Sequence, residues 1–106
     1  MKVSIITVVY NNKKFIEDCL ISLQSQTYLN IEHIVIDGGS DDGTLDIISM
    51  YKDKISLFIS ESDNGMYDAL NKGYKFATGE IIGILHSDDV FNNNSVAAIL
   101  AFARLC

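Results

Sequence analysis

The residues most able to do chemistry sit where apolar runs end. Residues 79–89 read GEIIGILHSDD, an apolar run from Glu80 to Leu85 leading straight into His86, Ser87, Asp88 and Asp89. Two adjacent carboxylates repel each other and need a divalent cation, a basic partner or open water. A hard cation held by one or two carboxylates and completed by substrate phosphates is one recurring arrangement. The plainer alternative is a solvated acidic turn that caps the next helix. Other apolar runs end in polar groups too. The first ends in Tyr10-Asn11-Asn12, the second in Asp37 and the third in Glu61-Ser62-Asp63.

Those groups form a site only if the chain brings them together. Val3 to Val9 is an almost continuous β-branched run and predicts a strand. A helix follows over 13–26, with Phe15, Ile16, Cys19, Leu20 and Leu23 on one apolar stripe. Cys19 in that stripe reads as core rather than nucleophile. Ile31 to Ile36 predicts a second strand, and a helix starts near Thr44 with Leu45, Ile47, Ile48 and Tyr51 inward. Ile55 to Ser60 predicts a third strand, and a helix follows over 66–77, with Ala69, Leu70, Gly73, Tyr74 and Ala77 inward and Gly79 as its left-handed cap. Glu80 to Leu85 is the fourth strand. Asn92 to Ser95 is a turn, and Val96 to Leu105 is a final helix. His33 alternates with isoleucines and reads as structural.

Strands alternating with helices predict an α/β fold, a doubly wound, mostly parallel sheet with right-handed crossovers and helices on both faces. The predicted strand order is 3-2-1-4, in a single domain over 1–106. In such sheets ligands bind outside the carboxyl ends of the strands, where the order reverses. That crevice lies between the first and fourth strands, with Thr7 to Asn11 on one side and His86 to Asp89 on the other. Asp37 and Asp63 end the neighbouring strands. Polar strand ends converging on one crevice favour a nucleotide-plus-metal site over independent solvated turns.

Composition narrows the partners. The chain has 106 residues and a net charge of −6, which argues against a nucleic-acid partner, because phosphate-backbone binding needs clustered Lys and Arg. Its two cysteines show no disulfide or metal spacing, which favours a reducing, cytoplasmic setting. No secretory leader and no stretch long enough to span a bilayer is visible. The glycine spacing of residues 38–43 fits neither a dinucleotide fingerprint nor a P-loop.

Four segments, Val3 to Asn11, Val35 to Thr44, Asp63 to Gly73 and Ala77 to Asp89, together resemble the amino-terminal half of family 2 glycosyltransferases with the GT-A fold. The third is most similar to bacterial enzymes that build capsule or exopolysaccharide repeat units. The resemblance implies nucleotide-binding roles for Thr7, Val9 and Tyr10, which match the loop around base and ribose, with Asn11 supporting the turn. It implies that Asp37 hydrogen-bonds the uracil ring. Asp63 and the stretch to Lys72 match the segment beside base and diphosphate. Asp88, with Asp89 after it, matches a DXD-type motif that holds Mn2+ or Mg2+ on the donor diphosphate. The implied activity is metal-dependent, inverting transfer from a nucleotide-sugar, UDP favoured, to a saccharide or lipid-linked acceptor in cell-surface polysaccharide synthesis. The implied setting is the cytoplasm, with peripheral association of the full-length enzyme at the inner face of the membrane.

The sequence departs from the family pattern in three ways. Gly38 stands where the family commonly has a second aspartate, and His86 where the DXD triplet begins. The chain also stops soon after that motif. The catalytic base is therefore expected beyond Cys106, and the sequence reads as a truncated, by itself inactive, donor half-site with an exposed sheet edge that favours self-association. The competing reading is a non-catalytic, doubly wound Mg-binding regulatory or interaction module. Tyr67 reads as a half-buried aromatic. Asp68 is equally explained by the helix dipole and by a donor contact, and Lys72 also fits a solvated helix lysine.

Overall fold

The computed structural model describes residues 2–26, 30–62 and 64–85. Four parallel strands, β1 (Val3–Val9), β2 (Ile31–Asp37), β3 (Leu57–Ser60) and β4 (Ile81–Ile84), form one sheet in the order β3-β2-β1-β4. Helices α1 (Lys13–Gln24), α2 (Thr44–Met50) and α3 (Met66–Phe76) connect them, with a short 3-10 turn at Lys52–Lys54. β1 is the central strand. It pairs with β2 from Val3↔Ile31 to Val9↔Asp37 and with β4 from Val3↔Ile81 to Ile6↔Ile84.

A strand covered on both faces must be apolar along its whole length, and every residue of β1 is buried. Its odd-numbered residues face α1 and α2, where Val9, Ile16, Leu20, Val35 and Ile48 pack together beside Val3, Ile5, Cys19, Leu23 and Leu85. Its even-numbered residues face α3, where Ile6, Val8, Ile34, Ile36 and Ala69 pack. The order reverses between β1 and β4, as the alternation of strands and helices predicts.

The differences from expectation lie at element ends and helix margins. α1 ends at Gln24 rather than Gln26, and β3 begins at Leu57 rather than Ile55. The 3-10 turn takes up that approach, with the Ile55 N–H donating to Lys52 O. Phe15 is 43% and Tyr74 49% exposed, at the edges of their stripes rather than inside them. Lys14 Nζ lies 5.2 Å from the Phe15 ring centroid. Tyr67 stands out from α3 and is largely exposed rather than half-buried. The turn at 92–95 and the helix expected over 96–105 lie outside the described residues.

Gly79 does not cap α3. The helix ends at Ala77 in extended backbone, and among the described residues φ is positive at Asn11, Gly39, Gly43 and Gly65. Gly79 is required for close approach instead: its N–H donates to Ser4 Oγ at 2.8 Å, and a Cβ there would lie 2.6 Å from Ser4 Oγ and 2.7 Å from Ser4 N. Gly79→Ala is expected to lower the unfolding free energy by about 1–3 kcal/mol through overpacking against β1 backbone. Urea unfolding measures this, and an unchanged midpoint would show that the two segments can separate freely.

At the opposite end of the sheet from the predicted crevice, Glu32 ties three elements together. Its carboxylate accepts from Ser4 Oγ, the Thr78 N–H and Thr78 Oγ1, and pairs with Lys2 at 3.3 Å. Burial alone would raise its pKa, but these donors outweigh it and bring the pKa down to about 2.

Candidate functional site

The carboxyl ends of β1 and β2 open into two loops that are bonded to each other. The Gly38 N–H donates to Val9 O at 3.0 Å. The Asn11 N–H donates to Ser40 Oγ at 2.8 Å, and the Asp41 N–H returns a bond to Asn11 Oδ1 at 2.9 Å. The Asn12 N–H donates to Thr44 Oγ1, and the Lys13 N–H to Asp42 Oδ2. Asn11 has φ 46°, a left-handed backbone that Asn adopts more readily than other non-glycine residues. Its side chain fixes that turn by binding the opposite loop.

Asp37 anchors the second loop. Its Oδ2 accepts the Gly39 N–H, the Ser40 N–H and Ser60 Oγ, each at 2.9 Å, and its Oδ1 accepts Ser40 Oγ at 2.6 Å. Four donors therefore reach this carboxylate, three on Oδ2 and one on Oδ1. Asp37 is 0% exposed. In this geometry it holds the loop and the end of β3, since the Glu61 N–H also donates to Asp37 O.

Thr7 and Val9 are buried within the sheet. Thr7 Oγ1 lies 2.9 Å from His33 Nε2, so its hydroxyl is engaged inside the core. Both side chains lie inside the core below the loop that follows β1. The residues this strand end presents to solvent are Tyr10, 64% exposed, and Asn11. His33 is buried with Nδ1 unpartnered, and burial pushes its pKa down to about 4.

On the other face, Lys72 Nζ lies 3.0 Å from Glu61 Oε1 and 3.7 Å from Asp68 Oδ2. Asp68 Oδ2 also accepts the Asn64 N–H, which shapes the turn into α3. Lys72 is thus a paired, largely covered lysine linked through Glu61 to the Asp37 end of the sheet, not a fully solvated one.

β4 runs beside β1, and the Leu85 N–H donates to Ile6 O at 3.0 Å. β4 is thus parallel to β1 as far as Leu85. Asp63, His86, Asp88 and Asp89 lie outside the described residues. Among the described residues no cluster of three or more His, Cys, Asp or Glu could hold a metal ion.

Sequence reasoning missed the contribution of Ser40, Asp42, Thr44 and Ser60. The region from Gly38 to Thr44 reads as a helix N-cap, and the structure does place left-handed Gly43 at the cap, with Asp42 Oδ1 accepting the Thr44 N–H. The bonds from the same residues to the first loop carry no signal in local sequence.

Comparison with known proteins connects this architecture to a family. The model of the family described as Glycosyl transferase family 2 matches residues 4–104. An uncharacterized glycosyltransferase of Mycobacterium tuberculosis (strain ATCC 25618 / H37Rv) is 39% identical over 97 residues, covering 91% of this chain and 37% of its own length. Glycosyltransferase GlyG of Streptococcus pneumoniae serotype 4 is 32% identical over 100 residues, covering 92% of this chain and 33% of its own length. The chain thus spans about a third of the length of these relatives. Among solved structures, S. aureus TarS 1-349 in complex with UDP-GlcNAc superposes with a TM-score of 0.90 at 33% identity, over 99% of this chain and 32% of that one. The mannosyltransferase PcManGT from Pyrobaculum calidifontis, in complex with GDP-Man and Mn2+, gives 0.81 at 29% identity, over 92% of this chain and 30% of that one. A family match along nearly the whole chain, on the same parallel sheet, means that this chain belongs to glycosyl transferase family 2 and has the GT-A fold.

Proposed function

We propose that the chain is the donor-binding part of a glycosyltransferase that moves a sugar from a UDP-sugar to a saccharide or lipid-linked acceptor, with inversion, in cell-surface polysaccharide synthesis. The observation that carries this reading is the bonded pair of loops at the carboxyl ends of β1 and β2, which presents Tyr10 and Asn11 at the switch point of the sheet. Structures with the same fold hold UDP and UDP-GlcNAc in S. aureus TarS, which supports a uridine donor.

In this reading the Tyr10 ring stacks on the base and Asn11 holds the turn beneath it. Thr7 and Val9 support that loop from inside the sheet, and Asp37 sets the loop against which the uracil edge lies. Asp63 and Lys72 flank the diphosphate. Asp88 and Asp89 hold Mn2+ or Mg2+, because paired carboxylates suit a hard cation completed by substrate phosphates. When bound, the cation offsets the negative charge that develops on the departing nucleoside diphosphate. The protein's own residues fix base, ribose and phosphates in one orientation. No residue of this chain is assigned as the acceptor's base.

Parallel titrations of UDP, GDP and dTDP with Mn2+ present test the donor assignment. UDP is expected to bind most tightly, and tighter binding of GDP would overturn the uridine reading. Peripheral attachment to the inner face of the cell membrane belongs to the same proposal, and vesicle flotation of the full-length protein tests it. Among the described residues no helix is long and apolar enough to cross a membrane. Self-association is proposed through the β4 edge, where Ile82 and Ile84 are exposed. Sedimentation should show a concentration-dependent dimer, and a monomer at every concentration would contradict it.

A further inference from the structure

The first loop has little hold on its own shape. Asn11 takes a left-handed backbone, which persists only where the surroundings over-determine it. α1 starts at Lys13 with no side-chain cap from Asn12, so its first N–H groups need partners elsewhere. The second loop provides one for Lys13, and it also binds the Asn12 N–H just before the helix. The Lys13 N–H donates to Asp42 Oδ2 at 3.2 Å, and the Asn12 N–H donates to Thr44 Oγ1 at 3.1 Å. The Thr44 hydroxyl in turn donates to Asp42 Oδ1. Two successive amides of the first loop therefore end, directly or through one hydroxyl, on a single carboxylate.

We infer that Asp42 and Thr44 are positioning residues for donor binding: they fix the backbone that presents Tyr10 and Asn11 without touching the nucleotide themselves. Capping of α2 alone does not explain them. A cap needs only the bond from the Thr44 N–H to Asp42 Oδ1, which spans two residues. The bonds to Asn12 and Lys13 span 32 and 29 residues and have no role in α2. The donors around Asp42, the Thr44 hydroxyl foremost, hold its carboxyl below the usual carboxylate range, so the relay ends on an anion at neutral pH. A charge-assisted acceptor holds its donors more firmly than a neutral one. The inference rests on the donor-site reading.

Three variants separate positioning from capping. Thr44→Val keeps the shape but removes the hydroxyl, so the bond from the Asn12 N–H is lost while Asp42 still accepts the Thr44 N–H. Thr44→Ser keeps the hydroxyl. Asp42→Asn keeps one acceptor oxygen and loses the charge. UDP affinity with Mn2+ and the amide resonances of Tyr10 to Lys13 are measured on the full chain. Thr44→Val is expected to weaken UDP about tenfold, the effect of one lost charge-linked hydrogen bond, and to shift those amides. Thr44→Ser should restore both, with Asp42→Asn between them. If Thr44→Val binds UDP like Thr44→Ser and leaves the amides unmoved, these residues are caps only and the inference fails. If the unsubstituted chain binds no UDP, the donor reading fails first and takes the inference with it.

Discussion

Asp37→Ala is expected to lower the unfolding free energy by about 3–5 kcal/mol, because each buried donor left without a partner costs about 1–3 kcal/mol and this carboxylate serves several. Its removal strands the Gly39 and Ser40 N–H groups together with the hydroxyls of Ser40 and Ser60. A domain of this size is stable by only about 5–15 kcal/mol, so the loss approaches unfolding. Asp37→Asn should lose less, since one oxygen remains to accept. Tyr10→Ala is the contrasting case. Tyr10 projects into solvent, so its loss should leave stability within about 0.5 kcal/mol. It should nevertheless weaken nucleotide binding by about 1–3 kcal/mol, the usual value of stacking between a base and an aromatic ring. Urea unfolding and calorimetry on the same two variants check this crossed pattern. An Asp37→Ala chain as stable as the parent would show that the loop does not depend on its carboxylate.

Acid is expected to destabilise the fold through His33. The ordinary pKa of 6.5 falls to about 4 because burial disfavours the imidazolium. Between these values the unfolded chain binds a proton that the folded chain refuses. Stability is therefore full above about pH 6.5, declines as pH falls, and has dropped by about 3 kcal/mol near pH 4. Glu32 acts in the same direction at lower pH. Its depressed pKa contributes stability that is present above 4.5 and lost toward 2. The neutral ring is held by Thr7 at Nε2 and, among the described residues, has no partner at Nδ1 that could stabilise an added proton. His33→Gln should flatten the profile between pH 6.5 and 4 and leave the decline below 4.5. Urea unfolding across this pH range checks it, and an unchanged slope in the variant would assign the proton uptake to another group.

Much of this architecture is legible in the sequence for a simple reason. Parallel strands covered on both faces must be apolar throughout, so Val3 to Val9 and Ile31 to Ile36 announce themselves, and strand-helix alternation then limits the topology. The reversal between β1 and β4 follows. Individual roles are less legible, because they depend on residues distant in the chain. Asp37 has the composition of a ligand contact, but Ser60 and its own loop occupy it. Thr7 lies in a motif that suggests a binding loop, yet its partner is His33 on the next strand. Gly79 follows a helix and so resembles a cap, whereas the requirement comes from Ser4 on β1. Asp42 lies in an acidic loop just before α2, and the bond it accepts from the Lys13 N–H appears only once both loops are folded. In each case local chemistry is correct and the partner is supplied by the tertiary structure.

The proposed function requires a metal-assisted site for a uridine diphosphate sugar on this chain. Calorimetric titration of UDP into the folded chain, with and without Mn2+ and again on Asp88→Ala, tests it most directly. Binding is expected to strengthen with Mn2+ and to lose that dependence in the variant. An unsubstituted chain, folded by circular dichroism, that binds no UDP in either condition would contradict it.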